Sequence, residues 1–173
     1  MREVTTLHTE RFTMRPLQEA DTAALYPTLS NDDQCLYLTR PAFTSHEELW
    51  GWLADPAWPG LTWIAVREDG SVAGRFVAHT AHEEGVEEIG YITCLDAQGQ
   101  GVASECTRAL IAHRFESGAR KLTAEVDTRN TASVKLLERL GFTREAHLRE
   151  HETTHAGVCD VYFYGLLARE FRA

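Results

Sequence analysis

The sequence predicts one α/β (α+β) domain on a mixed, mostly antiparallel sheet of about six to seven strands flanked by about four helices. Three observations carry that expectation. The stretch "LTWIAVREDGSVAGRFVAHT" holds two β-rich runs separated by Asp69-Gly70, the strongest short-range hairpin signal. The segment from "EIGYITCL" through a glycine-bearing loop and a helical stretch to "KLTAEVD" reads as one βαβ crossover. Two more strand-like runs, near Thr143 to Arg149 and near Cys159 to Leu167, close the chain.

Each element has its own signal. In "RFTMRPL" Phe12 and Met14 alternate with Arg11, Thr13 and Arg15 until Pro16 ends the pattern, which predicts the first strand. A helix follows from about Glu19 to Ser30. Ser45 with Glu48 three residues on forms a capping box ahead of Leu49, Trp50, Trp52 and Leu53, so a second short helix starts there. After the hairpin and the acidic turn "AHEEGVEE" comes the strand "EIGYITCL". Val102, Cys106, Ala109, Leu110 and His113 recur at helical spacing, and Gly118 stops that helix. "KLTAEVD" alternates, with Leu122, Ala124 and Val126 on one face. Ser133, Leu136, Leu137 and Leu140 fall at i, i+3, i+4 and i+7, with Gly141 placed to end one more helix.

At 173 residues, with 43% hydrophobic and 25% charged residues and no linker-like stretch, one core serves the whole chain. The formal charge of −9 argues against nucleic acid as the main partner, because duplex binding rests on Lys and Arg neutralising phosphates. A cationic substrate suits it better, although acidity also simply keeps proteins dispersed. Cys35, Cys94, Cys106 and Cys159 stand far apart with no C-x-x-C pair and read as reduced, buried thiols. No apolar leader and no apolar run of the roughly 18 residues needed to span a bilayer is present, so a cytoplasmic location without membrane partners is expected.

The loop "DAQGQGVASE" joins a strand to a helix. Gly99 and Gly101 let its backbone approach a ligand where a Cβ would collide, and the helix N-terminus behind adds orphan N–H groups and the positive end of its dipole. A phosphate or pyrophosphate is the expected guest. No Gly-Lys-Ser/Thr follows and the full G-x-G-x-x-G is absent, so neither nucleotide motif applies. A tight turn without any ligand is the plainer alternative.

Gln98, Gly101 and Ala103 resemble the Q/R-x-x-G-x-G/A signature of the GNAT acetyltransferases, and "NTASVKLLERLGF", with Asn130, Ser133 and Gly141-Phe142, resembles their second signature. "TERFTMRPLQEAD" and "CDVYFYGLLAREF" resemble the opening and closing segments of the branch containing ribosomal-protein N-terminal acetyltransferases, which also holds acetyltransferases for amino acids, antibiotics and other small amines. The resemblance implies a single N-acetyltransferase domain over residues 1–173 with a splayed sheet, acetyl-CoA as co-substrate, no metal, and a monomer or homodimer. It places the pyrophosphate on Gln98, Gly99, Gln100, Gly101, Val102, Ala103 and Ser104.

Acetyl transfer needs an unprotonated amine, yet an α-amine has a pKa of about 7.7–8 and a lysine about 10.4. Glu88, on the strand leading to the glycine loop, is the candidate general base, where similar enzymes carry a glutamate. Glu83, Glu84 and Glu87 are credible bystanders, and Glu87 is the first substitute. By the same resemblance the Ile92 N–H donates to the oxyanion, while freed backbone around Ile92, Cys94 and Leu95 pairs with the pantetheine arm. Leu137 occupies the position where many of these enzymes carry a tyrosine acid. The resemblance makes Ser133 the candidate acid, where the ribosomal-protein-type enzymes carry a serine, and Asn130 a coenzyme contact, with Tyr91, Tyr162 and Tyr164 as reserve hydroxyls. The expected reaction is direct transfer, in a ternary complex, to a protein N-terminal α-amine or a small cationic amine. A silent CoA-binding or regulatory module without a working base is the rival from another class.

"HETTH", His151 to His155, spells the H-E-x-x-H pattern of zinc metallopeptidases. That pattern needs a helix, which brings i and i+4 to roughly 5–6 Å at Cβ. Thr153, Thr154 and Gly157 predict extended chain instead, on which the histidines would lie about 13 Å apart. A metallopeptidase is therefore a remote third reading.

Overall fold

The computed structural model describes residues 4–172. Its strands are β1 (Leu7–His8), β2 (Thr13–Pro16), β3 (Leu61–Val66), β4 (Val72–Thr80), β5 (Val86–Thr93), β6 (Lys121–Asp127), β7 (Thr143–Thr154) and β8 (Gly157–Leu167). The helices are α1 (Asp21–Leu29), α2 (Asp32–Cys35), α3 (His46–Leu53), α4 (Val102–Glu116) and α5 (Thr131–Arg139). All eight strands form one sheet in the order β1-β2-β3-β4-β5-β6-β8-β7. Only β5 and β6 run parallel, as the crossover through α4 requires.

Strand alternation sorts the sheet into two faces. Trp63 of β3 packs edge-on to His113 of α4, and Phe76 lies opposite Trp63, so these side chains face α4. Arg75, one residue away on β4, points to the other face and holds its guanidinium 4.7 Å from the Trp52 ring of α3. Met14, Leu25, Trp63, Phe76, Leu110 and Tyr164 are fully buried between these layers. Truncating one of the large aromatics there costs about 3–5 kcal/mol.

The sheet splays at its parallel joint. β5 pairs with β6 only over Val86–Glu88 against Lys121–Thr123, yet β5 continues to Thr93 and β6 to Asp127. This splay agrees with the expectation.

The count differs slightly. Eight strands form rather than six or seven, because β1 is a two-residue pairing too short to leave an alternation. A fifth helix, α2, is one turn long and is started by Asn31, whose side chain accepts hydrogen bonds from the Asp33 and Gln34 N–H groups. At α3, Ser45 Oγ accepts from Glu48 N–H at 3.1 Å, as the capping box demands. The Glu48 carboxylate, however, reaches back to the Thr44 N–H and to Arg40, which hold its pKa down at about 2. β7 runs past Arg149 to Thr154 through an irregularity between Leu148 and Glu152, where Glu150 adopts φ +48°. All four cysteines are buried and free. No helix among the described residues is long and apolar enough to cross a membrane.

Candidate active site

The loop before α4 turns through two left-handed glycines, Gly99 at φ +72° and Gly101 at φ +79°. Gly101 occupies the N-cap position and no side chain caps the helix. Because the first helical bond runs from Glu105 N–H to Gly101 O, the N–H groups of Val102, Ala103 and Ser104 have no partner within α4. A Cβ on Gly99 would meet nothing within 4 Å, so the loop's outer side is open. Arg11 stands beside it, its Nη2 3.2 Å from where a Cβ on Gly101 would sit. Glu105 fixes Arg11 there by accepting from its Nε at 2.7 Å and from its N–H at 2.9 Å. Gln98 Nε2 donates to Gln34 Oε1 at 2.6 Å, and Gln100 Nε2 donates to Asp96 O at 2.8 Å.

From this loop a cleft of about 980 Å³ follows the gap between β5 and β6. Ile89 to Thr93 form one wall and Ala124 to Asp127 the other, with Asn130 and Ser133 at the start of α5. Thr28, Gln34, Tyr37, Trp52 and Arg75 enclose it from the α1–α3 side. Tyr37 reaches across the mouth and donates its hydroxyl to Arg129 O at 3.3 Å.

The ladder decides which backbone groups meet the cleft, and it corrects part of the expectation. Cys94 N–H donates to Ala73 O and Ala81 N–H to Val86 O, with an unbroken register between them. By alternation Glu88, Gly90 and Ile92 turn their backbone groups toward β4, so the Ile92 N–H is spent on the ladder rather than free for an oxyanion. Cys94 is likewise committed, and Leu95 N–H donates to Thr28 Oγ1 at 2.8 Å. Tyr91 and Thr93 face the gap instead, beyond the last β5–β6 pair. The backbone edge of β5 that faces the gap thus lies one residue out of phase with the expectation.

Glu88 lies at the closed end of the gap, one residue before the Ile89 that lines it. Its carboxylate is 3.9 Å from His79 Nε2 across the β4–β5 pair. Burial raises its pKa, Glu125 and Glu152 raise it further, and His79 opposes them. Glu87 points to the opposite face, where both its oxygens accept from Arg114 at 2.7 Å. It is no substitute base. Glu83 pairs with Arg120, and Glu84 is exposed. The carboxylates acting on Glu88 are thus Glu125 and Glu152, brought from β6 and β7 by folding, rather than its sequence neighbours.

Asn130 is the N-cap of α5, its Oδ1 accepting from Ser133 N–H at 3.2 Å. That cap explains the Asn-x-x-Ser spacing and leaves the amide NH₂ unspent. Ser133 is half-buried in the first turn and lines the cleft. Leu137 is fully buried, which suits the leucine found there. Tyr91 places a buried hydroxyl, without a well-formed hydrogen bond, near Ser133; burial raises its pKa and Ser133 opposes the rise. Tyr164 donates to Glu138 at 3.1 Å. The Cys94 thiol is buried and pushed up to about 11, which suits packing rather than reaction.

His151 lies on β7 and His155 in the turn to β8, so HETTH is not helical. Tyr37 and Arg75 in the cleft and Arg11 beside the glycine loop are residues that sequence reasoning did not place, and Tyr91 it held only as a reserve hydroxyl. Only Tyr91 had a local signal, its position on the strand before the glycines. The others are set by contacts across 90 or more residues or across two layers.

The family profile described as "Acetyltransferase (GNAT) domain" matches residues 11–143. The chain is 32% identical to the uncharacterised N-acetyltransferase p20 of Bacillus licheniformis, over 96% of this chain and 98% of that protein. Its fold superposes on an acetyltransferase (GNAT family) from Bacillus anthracis with a TM-score of 0.89 at 22% identity, covering 96% of this chain and all of that one. It also superposes on RimL, a ribosomal-protein alpha-N acetyltransferase solved in complex with coenzyme A, with a TM-score of 0.81 at 22% identity, covering 94% of this chain and 98% of that one. With a profile matching most of its length and a relative matched end to end, this chain belongs to the GNAT acetyltransferases and is an acyltransferase.

Proposed function

We propose that the chain works as one N-acetyltransferase domain, moving the acetyl group of acetyl-CoA to a primary amine by direct transfer in a ternary complex. The observation that carries this reading is the uncapped N-terminus of α4, opening through two left-handed glycines onto the gap between β5 and β6. Val102, Ala103 and Ser104 N–H groups would hold the pyrophosphate, with the Arg11 guanidinium alongside. Tyr91 and Thr93 would pair with the pantetheine arm as a missing strand neighbour, and the Tyr91 N–H would meet the oxyanion formed as the amine attacks.

Glu88 then takes the amine's proton, directly or through water, because its raised pKa lies closer to that of the ammonium. Ser133 supplies a proton to the departing thiolate, with Tyr91's hydroxyl beside it. The acceptor is a protein N-terminal α-amine or a small amine, drawn by the Glu88, Glu125 and Glu152 carboxylates. Glu88's placement favours this reading over a silent coenzyme-binding module.

Calorimetric titration with acetyl-CoA, then thiol release with a panel of amines and N-terminal peptides, tests it. Micromolar binding and amine-dependent release are expected; binding without release for any amine would leave only the silent module, and no binding would overturn both.

A further inference from the structure

Arg75 is buried to more than nine-tenths, at 7% exposure, in the middle of β4. Among the described residues no carboxylate pairs with it, and its Nε has no hydrogen-bond partner. Burial alone lowers its pKa, to about 10, with no anion opposing the shift. Its one compensating contact is the face of Trp52, a weaker substitute for water than a carboxylate. The remaining guanidinium edge looks into the cleft, which it helps to line. A buried cation in this state would be stabilised by an anion brought to its open edge.

Its position says whose anion. Arg75, Val77 and His79 share one face of β4 and stand opposite Ile92, Gly90 and Glu88 of β5. Arg75 and Glu88 therefore mark the two ends of one surface, separated by four residues along the strand, about 13 Å. That surface lies under Trp52 of α3, on the face opposite α4. The phosphates have their own donors at the α4 end with Arg11.

Resting on the acetyltransferase reading above, we propose that Arg75 is the acceptor-specificity residue and that the acceptor carries a carboxylate as well as its amine. The amine end is drawn toward Glu88 while the carboxylate takes the bidentate edge of Arg75. A polyamine, cationic throughout, would place a positive group against Arg75 and is disfavoured. The carboxylate has two sources, the side-chain carboxylate of a free acidic amino acid or an acidic side chain just after a peptide N-terminus. An α-carboxylate shares its carbon with the amine and cannot span the surface.

Paired acceptors separate these while keeping the reacting α-amine and its own carboxyl or peptide neighbour. Free Asp and Glu would be compared with Asn and Gln, and peptides with Asp or Glu at the second position with their Asn or Gln counterparts, by thiol release. The wild type should favour one carboxylate series at least about tenfold in kcat/KM, and which series responds names the source. Arg75→Met should abolish that preference with acetyl-CoA affinity held within about twofold, and Arg75→Lys should recover little of it, lacking the planar fork. Equal rates for carboxylate and amide in both series, or a loss in Arg75→Met that falls on acetyl-CoA binding, would overturn the inference. Absence of release with every acceptor would instead overturn the acetyltransferase reading, and this inference with it. If Arg75→Met does not fold, the wild-type preference and Arg75→Lys decide alone.

Discussion

Glu87 and Glu88 are neighbours on β5 that face opposite sides of the sheet, Glu87 locked to Arg114 by two 2.7 Å hydrogen bonds and Glu88 set 3.9 Å from His79. Under the proposed mechanism the two carboxylates separate structure from chemistry. Glu88→Gln should lower kcat by about 10²–10⁴-fold while leaving acetyl-CoA affinity unchanged, since a positioned base contributes that much. Glu87→Gln should leave kcat near wild type but lower stability by about 1–3 kcal/mol, because Arg114 loses its charge partner where both side chains are nearly buried. Steady-state kinetics with urea melts of both variants check this, and a kcat loss in Glu87→Gln larger than in Glu88→Gln would reverse the assignment.

The same environment gives Glu88 a defined pH signature. Burial, then Glu125 and Glu152, raise its pKa, while His79 lowers it. Under the proposed mechanism the base works ionised, so the acid limb of the rate profile should lie above the ordinary carboxylate range. Glu125→Gln should move that limb to lower pH by removing a like charge, and His79→Ala should move it higher. Stability follows the opposite sign: a group whose folded pKa is raised stabilises below its unfolded value and loses that contribution as pH rises through the folded one. Glu88→Gln should then melt no lower than wild type at pH 8, a thermal scan that a structural role for Glu88 would fail.

Most of the frame is legible in local sequence because its signals are short-range. Asp69-Gly70 gives the hairpin, the alternation of "KLTAEVD" gives β6, and Gly141 ends α5 at φ +93°. The glycine loop is legible for the same reason, as Gly99 and Gly101 hold backbone angles that other residues avoid. What sequence reasoning misplaces depends on register or on distant partners. Turning the Ile92 backbone rather than that of Tyr91 toward the gap is a one-residue phase error, and the β4 ladder sets the phase. Arg75's isolation and the pressure of Glu125 and Glu152 on Glu88 arise from strands far apart in the chain.

The glycines carry a prediction of their own. Gly101→Ala would force a left-handed alanine at the N-cap and press a Cβ against Arg11 at 3.2 Å. A loss of about 1–2 kcal/mol is expected from the backbone alone, with weaker coenzyme binding as the first amides tilt. Gly99→Ala meets open space, so its loss should come from φ alone and should be no larger. Urea melts with and without coenzyme A measure both, and a Gly101→Ala protein as stable as wild type would contradict the left-handed cap.

Asn130 has two separable duties. Its Oδ1 caps α5 through the Ser133 N–H, while its NH₂ stays free at the cleft. Asn130→Asp keeps the acceptor and should hold stability within about 0.5 kcal/mol, whereas Asn130→Ala should lose about 1 kcal/mol with the cap. Both remove the amide donors, and Asp adds a charge near the expected phosphates, so coenzyme affinity should fall about tenfold or more in Asn130→Asp. Equilibrium unfolding beside calorimetric titration resolves the two effects. An Asn130→Asp protein that binds coenzyme A like wild type would confine Asn130 to the cap.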